Sequence, residues 1–139
     1  MSYELTNFLI NNPDEIYNLS PRKFEELVAF LFEKMGYQVT LTQQTRDNGV
    51  DIYALKKEEI GDILTIVDCK KFKPNRPVGI DIVRNMYGVL NIEKASHGVI
   101  ATSSYFTSGA KDFQRTFQYQ LSIKDHADII YWMKKINLM

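Results

Sequence analysis

A single cysteine among 139 residues excludes any disulfide within the chain and argues against a metal site built from thiolates. The two histidines, His97 and His126, lie too far apart in sequence for a His-rich zinc site. No apolar run approaches the roughly 20 residues that a membrane span requires, and the opening MSYELTNFLINNPDE lacks the basic region and small-residue cleavage site of a signal peptide. Charge of one sign is missing too. With 17 basic and 17 acidic side chains the net charge is zero, so any nucleic-acid contact has to come from a local patch. These absences predict a cytoplasmic protein with no membrane contact. The 45% hydrophobic and 24% charged residues that are present suit one globular domain over 1–139 with a single well-buried core.

The periodicities predict an order of elements. YELTNFLINN forms a short helix ended by Asn-Asn-Pro, within an N-terminal helical extension over 1–18. LSPRKFEELVAFLFEKMGY follows as the clearest helix, with Ser20 as N-cap, Pro21 at the first helical position and Gly36 as the stop. YQVTLTQQT alternates as a strand does, RDNGVD is turn-rich, and DIYALKK and DILTIVDCKKF are two further strands. RPVGIDIVRNMYGVLNIEKA, HGVIATSS, YFTSGAKDFQRTFQ, YQLSI and KDHADIIYWMKKINLM then alternate helix, strand, helix, strand, helix. An antiparallel meander followed by alternating elements implies an α/β fold: a mixed β-sheet core flanked by helices on both sides.

Within the hairpin, a four-residue loop at EEIG, residues 58 to 61, pairs Lys57 with Asp62, Leu55 with Leu64 and Tyr53 with Ile66. The same count sets Asp51 opposite Asp68. Like charges directly opposed on one face destabilise a sheet, and a bound divalent cation is one explanation. Magnesium favours oxygen ligands and is commonly held by one or two carboxylates plus water and substrate phosphate. Lys70, two residues beyond Asp68 on the same face, is placed to orient or deprotonate a water or to stabilise charge on phosphorus. A metal with a lysine beside it suits phosphodiester hydrolysis. On the long helix Glu25 lies at the edge of the apolar stripe, able to reach a metal or water, whereas Glu26 faces solvent. A solvated role for Glu25 fits that spacing nearly as well.

These pieces, in order, resemble a known family. SPRKFEELVAFLFEKMGY, RDNGVDIYA, VDCKKFKPNRPV, VRNMYGVL, HGVIATSSYFTSGAKDF and SIKDHADI are similar to the Mrr-like restriction endonuclease catalytic domain of the PD-(D/E)xK nuclease superfamily, over about 19–136. The resemblance implies a restriction-endonuclease-like fold and a metal-dependent endodeoxyribonuclease of the restriction or defence type. It makes Asp51 the acid of the second core strand, Asp68 and Lys70 the ends of the (D/E)xK element, and Glu25 the helix acid. Metal ligands would be Asp51, Asp68, the Cys69 backbone carbonyl and Glu25, holding Mg²⁺ with Mn²⁺ as a substitute. Asn48 departs from the usual Asp-Gly-Gly-x-Asp turn, and Asp68 stands where many Mrr-like members carry glutamine. The separate recognition domain often joined to such nucleases is not expected within these 139 residues. DNA is the implied partner, with a homodimer for cutting both strands and a separate recognition subunit as a further partner.

Other residues admit two readings. The basic run Lys70, Lys71, Lys73, Arg76 is either a solvated charge cluster or, beside a metal, a set of phosphate contacts. Thr102, Ser103 and Ser104 suit capping or, for Ser103 and Ser104, holding a DNA phosphate with help from Lys111. Cys69 alternates with Val67 and turns inward as packing. A structure-selective nuclease such as a Holliday junction resolvase, and a catalytically silent DNA-binding module with the same fold, are the competing functions.

Overall fold

The computed structural model describes residues 3–43 and 49–139. Helix α1 (Tyr3–Asn11) leads through a 3₁₀ turn (Pro13–Asn18) into α2 (Pro21–Lys34). Ser20 caps α2 by accepting the Lys23 N–H, Pro21 occupies the first turn, and the chain leaves through Gly36 at φ +100°, a left-handed conformation that favours glycine. The helix buries Phe24, Leu27, Val28, Leu31 and Phe32, the stripe its spacing predicts.

Five strands follow: β1 (Gln38–Leu41), β2 (Ile52–Glu58), β3 (Gly61–Lys70), β4 (His97–Thr102) and β5 (Leu121–Lys124), joined in one sheet of order β1-β2-β3-β4-β5. The first three pair antiparallel and the last three parallel. Helix α3 (Ile80–Glu93) makes the crossover from β3 to β4, α4 (Ser108–Thr116) the crossover from β4 to β5, and α5 (His126–Asn137) ends the fold. Alternation along the strands divides the core. Ile52, Ala54, Val67, Val99 and Ala101 pack with α1, α2 and α5. Val50, Ile66, Ile100 and Leu121 pack with α3 and α4. The mixed sheet with helices on both sides is as the element order implies.

Three details differ from the sequence reading. Pairing continues to Glu58↔Gly61, so the hairpin turns on Glu59 and Ile60 alone while keeping the expected register; Gly61 supplies the positive φ, +133°. Helix α3 starts at Ile80, after Pro77 and a bridge between Val78 and Phe106. The 3₁₀ turn at Pro13–Asn18 has no apolar periodicity long enough to announce it. At Gly98 a Cβ would lie 2.8 Å from Met86 Sδ and 2.9 Å from its Cγ, so glycine is what lets α3 lie close on β4.

Candidate active site

The register of β2 and β3 ends at Ile52↔Val67. Just beyond it the Asp51 N–H donates to the Val67 carbonyl at 2.8 Å, and the Asp51 carboxylate accepts the Cys69 N–H at 2.7 Å. Asp51 therefore leaves the ladder and reaches Asp68 through its side chain instead of as a strand partner. Asp68 is 3% exposed. Burial, opposed by the Lys70 charge and reinforced by the Asp51 charge and hydrogen bond, pushes its carboxyl up from 3.8 to about 7. The Lys70 ammonium stands 3.3 Å from Asp68 Oδ1. Strand β4 supports this end of β3, with Asp68 beside Ile100 and Lys70 beside Thr102 in parallel register.

Glu25 enters from α2. Burial first, and the Asp51 charge second, raise its carboxyl, while Arg22 opposes the shift. That arginine holds Glu25 Oε1 at 3.0 Å and donates to the Thr42 carbonyl at 2.9 Å, so it orients the acid against the outgoing end of β1. The sequence marks Arg22 only by its i,i+3 spacing to Glu25, a spacing that lets the two side chains meet on one helix face. The Cys69 side chain packs against the α2 and α5 core, and burial, then the charge of Asp51, push its thiol well above the usual range. That chemistry suits packing, not a nucleophile.

Among the described residues, no three His, Cys, Asp or Glu side chains are grouped tightly enough to hold a metal ion by themselves. Two carboxyls in contact, one of them buried, still form a fitting donor set for a hard cation. Their mutual repulsion and lost hydration are what such an ion relieves, and magnesium takes only one or two carboxylates, with water and phosphate completing its shell.

The basic segment after Lys70 divides in two. Lys71 is tied inward, its ammonium donating to the Tyr17 carbonyl at 3.1 Å. Nothing in the sequence pointed to Tyr17. Lys73 and Arg76 are exposed and take part in none of the ion pairs among the described residues. The Arg76 N–H donates to the Lys73 carbonyl at 3.0 Å, closing a turn with Pro74 in its second position, and the Arg76 guanidinium lies 3.9 Å over the Phe72 ring.

Ser103 and Ser104 are 0% and 2% exposed. Their hydroxyls donate to the Phe72 carbonyl at 2.7 Å and the Arg76 carbonyl at 2.5 Å, so they face the loop and not solvent. Thr102 donates likewise to the Lys70 carbonyl at 2.7 Å. Capping of α4 falls to Thr107, which accepts the Ala110 N–H. Lys111 is exposed on α4, beside a small cavity it shares with Arg115, Asp125 and Asp128. Asp47 and Asn48 of the turn before Asp51 lie outside the described residues.

A larger cavity of about 530 Å³, walled by Phe32, Met35, Tyr37 and Trp132, includes none of the candidate site residues. Burial depresses the basicity of His97 there, and its two ring nitrogens meet the Tyr119 carbonyl and the Ser122 hydroxyl. No described helix is long and apolar enough to cross a membrane.

The restriction endonuclease family model of the Mrr catalytic type matches residues 16–133. An uncharacterised protein of Sinorhizobium fredii, y4cE, is 27% identical over 131 residues, 94% of this chain and 34% of its own length. The type IV methyl-directed restriction enzyme EcoKMrr of Escherichia coli is 28% identical over 110 residues, 76% of this chain and 35% of its own. The chain thus spans about a third of the curated relatives it matches. Among solved structures, the DNA modification-dependent restriction endonuclease AspBHI superposes with a TM-score of 0.69 at 18% identity, over 96% of this chain and 40% of that one.

Proposed function

The chain belongs to the Mrr-type restriction endonuclease family, and from that premise we propose that it is a metal-dependent endodeoxyribonuclease that hydrolyses DNA phosphodiester bonds. The observation that carries the reading is the contact between the Asp51 and Asp68 carboxyls with the Lys70 ammonium on the same acid. In this reading Asp51, Asp68, the Cys69 carbonyl and Glu25 would hold Mg²⁺, or Mn²⁺ in its place. Such an ion, when bound, would supply Lewis acidity for phosphodiester hydrolysis.

The chain's own residues do the rest. Lys70 orients the attacking water and stabilises the negative charge that develops on the phosphate. The Asp51 carboxylate, pinned by the Cys69 N–H, would keep one ligand fixed beside Asp68, whose burial favours its protonated form. Lys73 and Arg76 contact backbone phosphate, with Lys111 as an outlying contact. Phosphate contacts position a duplex but carry no sequence information, so target selection would call for a recognition element outside these residues, such as a separate recognition subunit, and a homodimer would account for cutting both strands.

Plasmid incubated with Mg²⁺ tests this. Wild type is expected to nick and linearise it, while Asp68→Ala and Lys70→Ala do not. Equal background nicking by all three proteins refutes the catalytic reading and leaves a silent module. Cleavage of branched DNA with none of linear duplex transfers the site to a junction resolvase.

A further inference from the structure

We infer that Ser103 and Ser104 are positioning residues that hold the Lys73-Pro74-Asn75-Arg76 turn as a preformed two-cation grip on one DNA strand. The inference rests on the proposed DNA-contact role of that turn and adds what sets its geometry. Three consecutive residues at the end of β4 spend their hydroxyls on three carbonyls of one segment, from the last residue of β3 into the loop after it: Thr102 on Lys70, Ser103 on Phe72 and Ser104 on Arg76. The Ser103 N–H adds a contact to the Lys70 carbonyl at 3.3 Å. All three hydroxyl residues are buried, so the donor side of each bond is shielded from competing water.

The loop is also held from behind. His126 Nδ1 lies 3.0 Å from the Ser103 carbonyl; a carbonyl can only accept, so Nδ1 carries the proton. The His126 ring stacks on Tyr17, centroids 5.0 Å apart, and the carbonyl of that same Tyr17 accepts the Lys71 ammonium. A continuous set of contacts therefore runs from Tyr17 through His126, Ser103 and Phe72 to the ring on which the Arg76 guanidinium lies. What this frame presents outward is Lys73 and Arg76 at the first and fourth positions of one turn, within about 7 Å of each other at Cα.

Phosphates on one strand recur at about 3.4 Å of axial rise, so two residues whose Cα atoms lie within about 7 Å span no more than about two such steps, and their long side chains can reach phosphates of the same strand together. The flat guanidinium, already stacked on Phe72, keeps its fork of donors free for bidentate contact. Lys70, whose carbonyl is the first one clamped, belongs to the same rigid segment. Fixing the turn thus fixes where the strand lies relative to the carboxylates.

The test is a double-mutant cycle on affinity for a duplex oligonucleotide, measured in chelator so that nothing is cut. Lys73→Ala with Arg76→Ala is expected to weaken binding and to reduce the slope of log affinity against log salt by about 0.9 for each cation removed. Ser103→Ala with Ser104→Ala is expected to weaken binding about tenfold in the natural background and to have no effect once Lys73 and Arg76 are gone. A purely structural role for the serines costs the same in both backgrounds, and that result overturns the inference, as does a serine pair that leaves affinity unchanged. If the paired serine variant does not fold, Ser103→Ala and Ser104→Ala are each taken through the cycle and the same coupling is required of both. If removing Lys73 and Arg76 changes neither affinity nor slope, the DNA-contact role of the turn itself is refuted, a distinct outcome from failure of the clamp.

Discussion

The Lys70 ammonium lies 3.3 Å from Oδ1 of Asp68, an acid that is almost wholly buried at the point where β2 and β3 part. Such a pair is costly to desolvate and weak as a source of stability. Its placement beside a second carboxyl, Asp51, gives it a chemical reason to exist.

That burial has a measurable consequence in the metal-free protein. Because the Asp68 carboxyl is raised from 3.8 to about 7, the native protein keeps a proton that the unfolded chain releases. The resulting stabilisation is complete below the unfolded value and is lost as pH rises through about 7. Urea unfolding in chelator should therefore show higher stability at pH 5 than at pH 8, by on the order of a few kcal/mol. Asp68→Asn should flatten most of that difference, with Glu25, raised in the same sense, accounting for the remainder.

Lys71 and Lys73 are separable despite their proximity. Lys71→Ala removes a bond to the Tyr17 carbonyl and should lower stability by about 1 kcal/mol while leaving the salt slope of DNA binding as it is. Lys73→Ala should leave unfolding unchanged and reduce that slope by about 0.9. Paired urea and salt titrations of the two variants check this.

Glu25→Gln keeps the shape of the side chain and a partner for Arg22 but removes a charge near Asp51. If the acid reaches the ion, Mg²⁺-dependent cleavage should fall about ten- to a hundredfold, less than for Asp68→Ala, with little change in DNA affinity. Cleavage rates at saturating DNA measure it.

At Gly98 the prediction concerns the fold alone. A methyl group there meets Met86 Sδ and Cγ at under 3 Å, with Leu121 on its other side at 3.4 Å. Gly98→Ala should cost about 1 to 3 kcal/mol by overpacking, read by urea unfolding, and Met86→Ala should relieve part of that cost.

Much of this architecture was legible in the sequence because period and punctuation agreed. Ser20, Pro21 and Gly36 bracket an apolar stripe at 3.6 spacing, and the β2–β3 register followed from counting across a short turn. The approach of Asp51 to Asp68 was legible for the same reason. How they meet was not, because the Asp51 amide shifts to the Val67 carbonyl, and no side-chain pattern encodes where a ladder ends. Ser103 and Ser104 were ambiguous on chemical grounds. A hydroxyl after a buried strand can cap a helix, bind phosphate or tie a loop, and only the path of residues 71–76 over β4 decides among them. Tyr17 acts through a contact with Lys71, distant in the chain, which local periodicity does not carry; the i,i+3 spacing of Arg22 to Glu25 is local, but its bond to the Thr42 carbonyl is not.

Joint binding of a divalent cation by Asp51 and Asp68 is read by calorimetric titration of Mn²⁺ into wild type and three variants. Saturable binding is expected of wild type and of Lys70→Ala, and none of Asp51→Ala or Asp68→Ala. Binding that persists without either aspartate, or that is missing from wild type, would contradict joint binding.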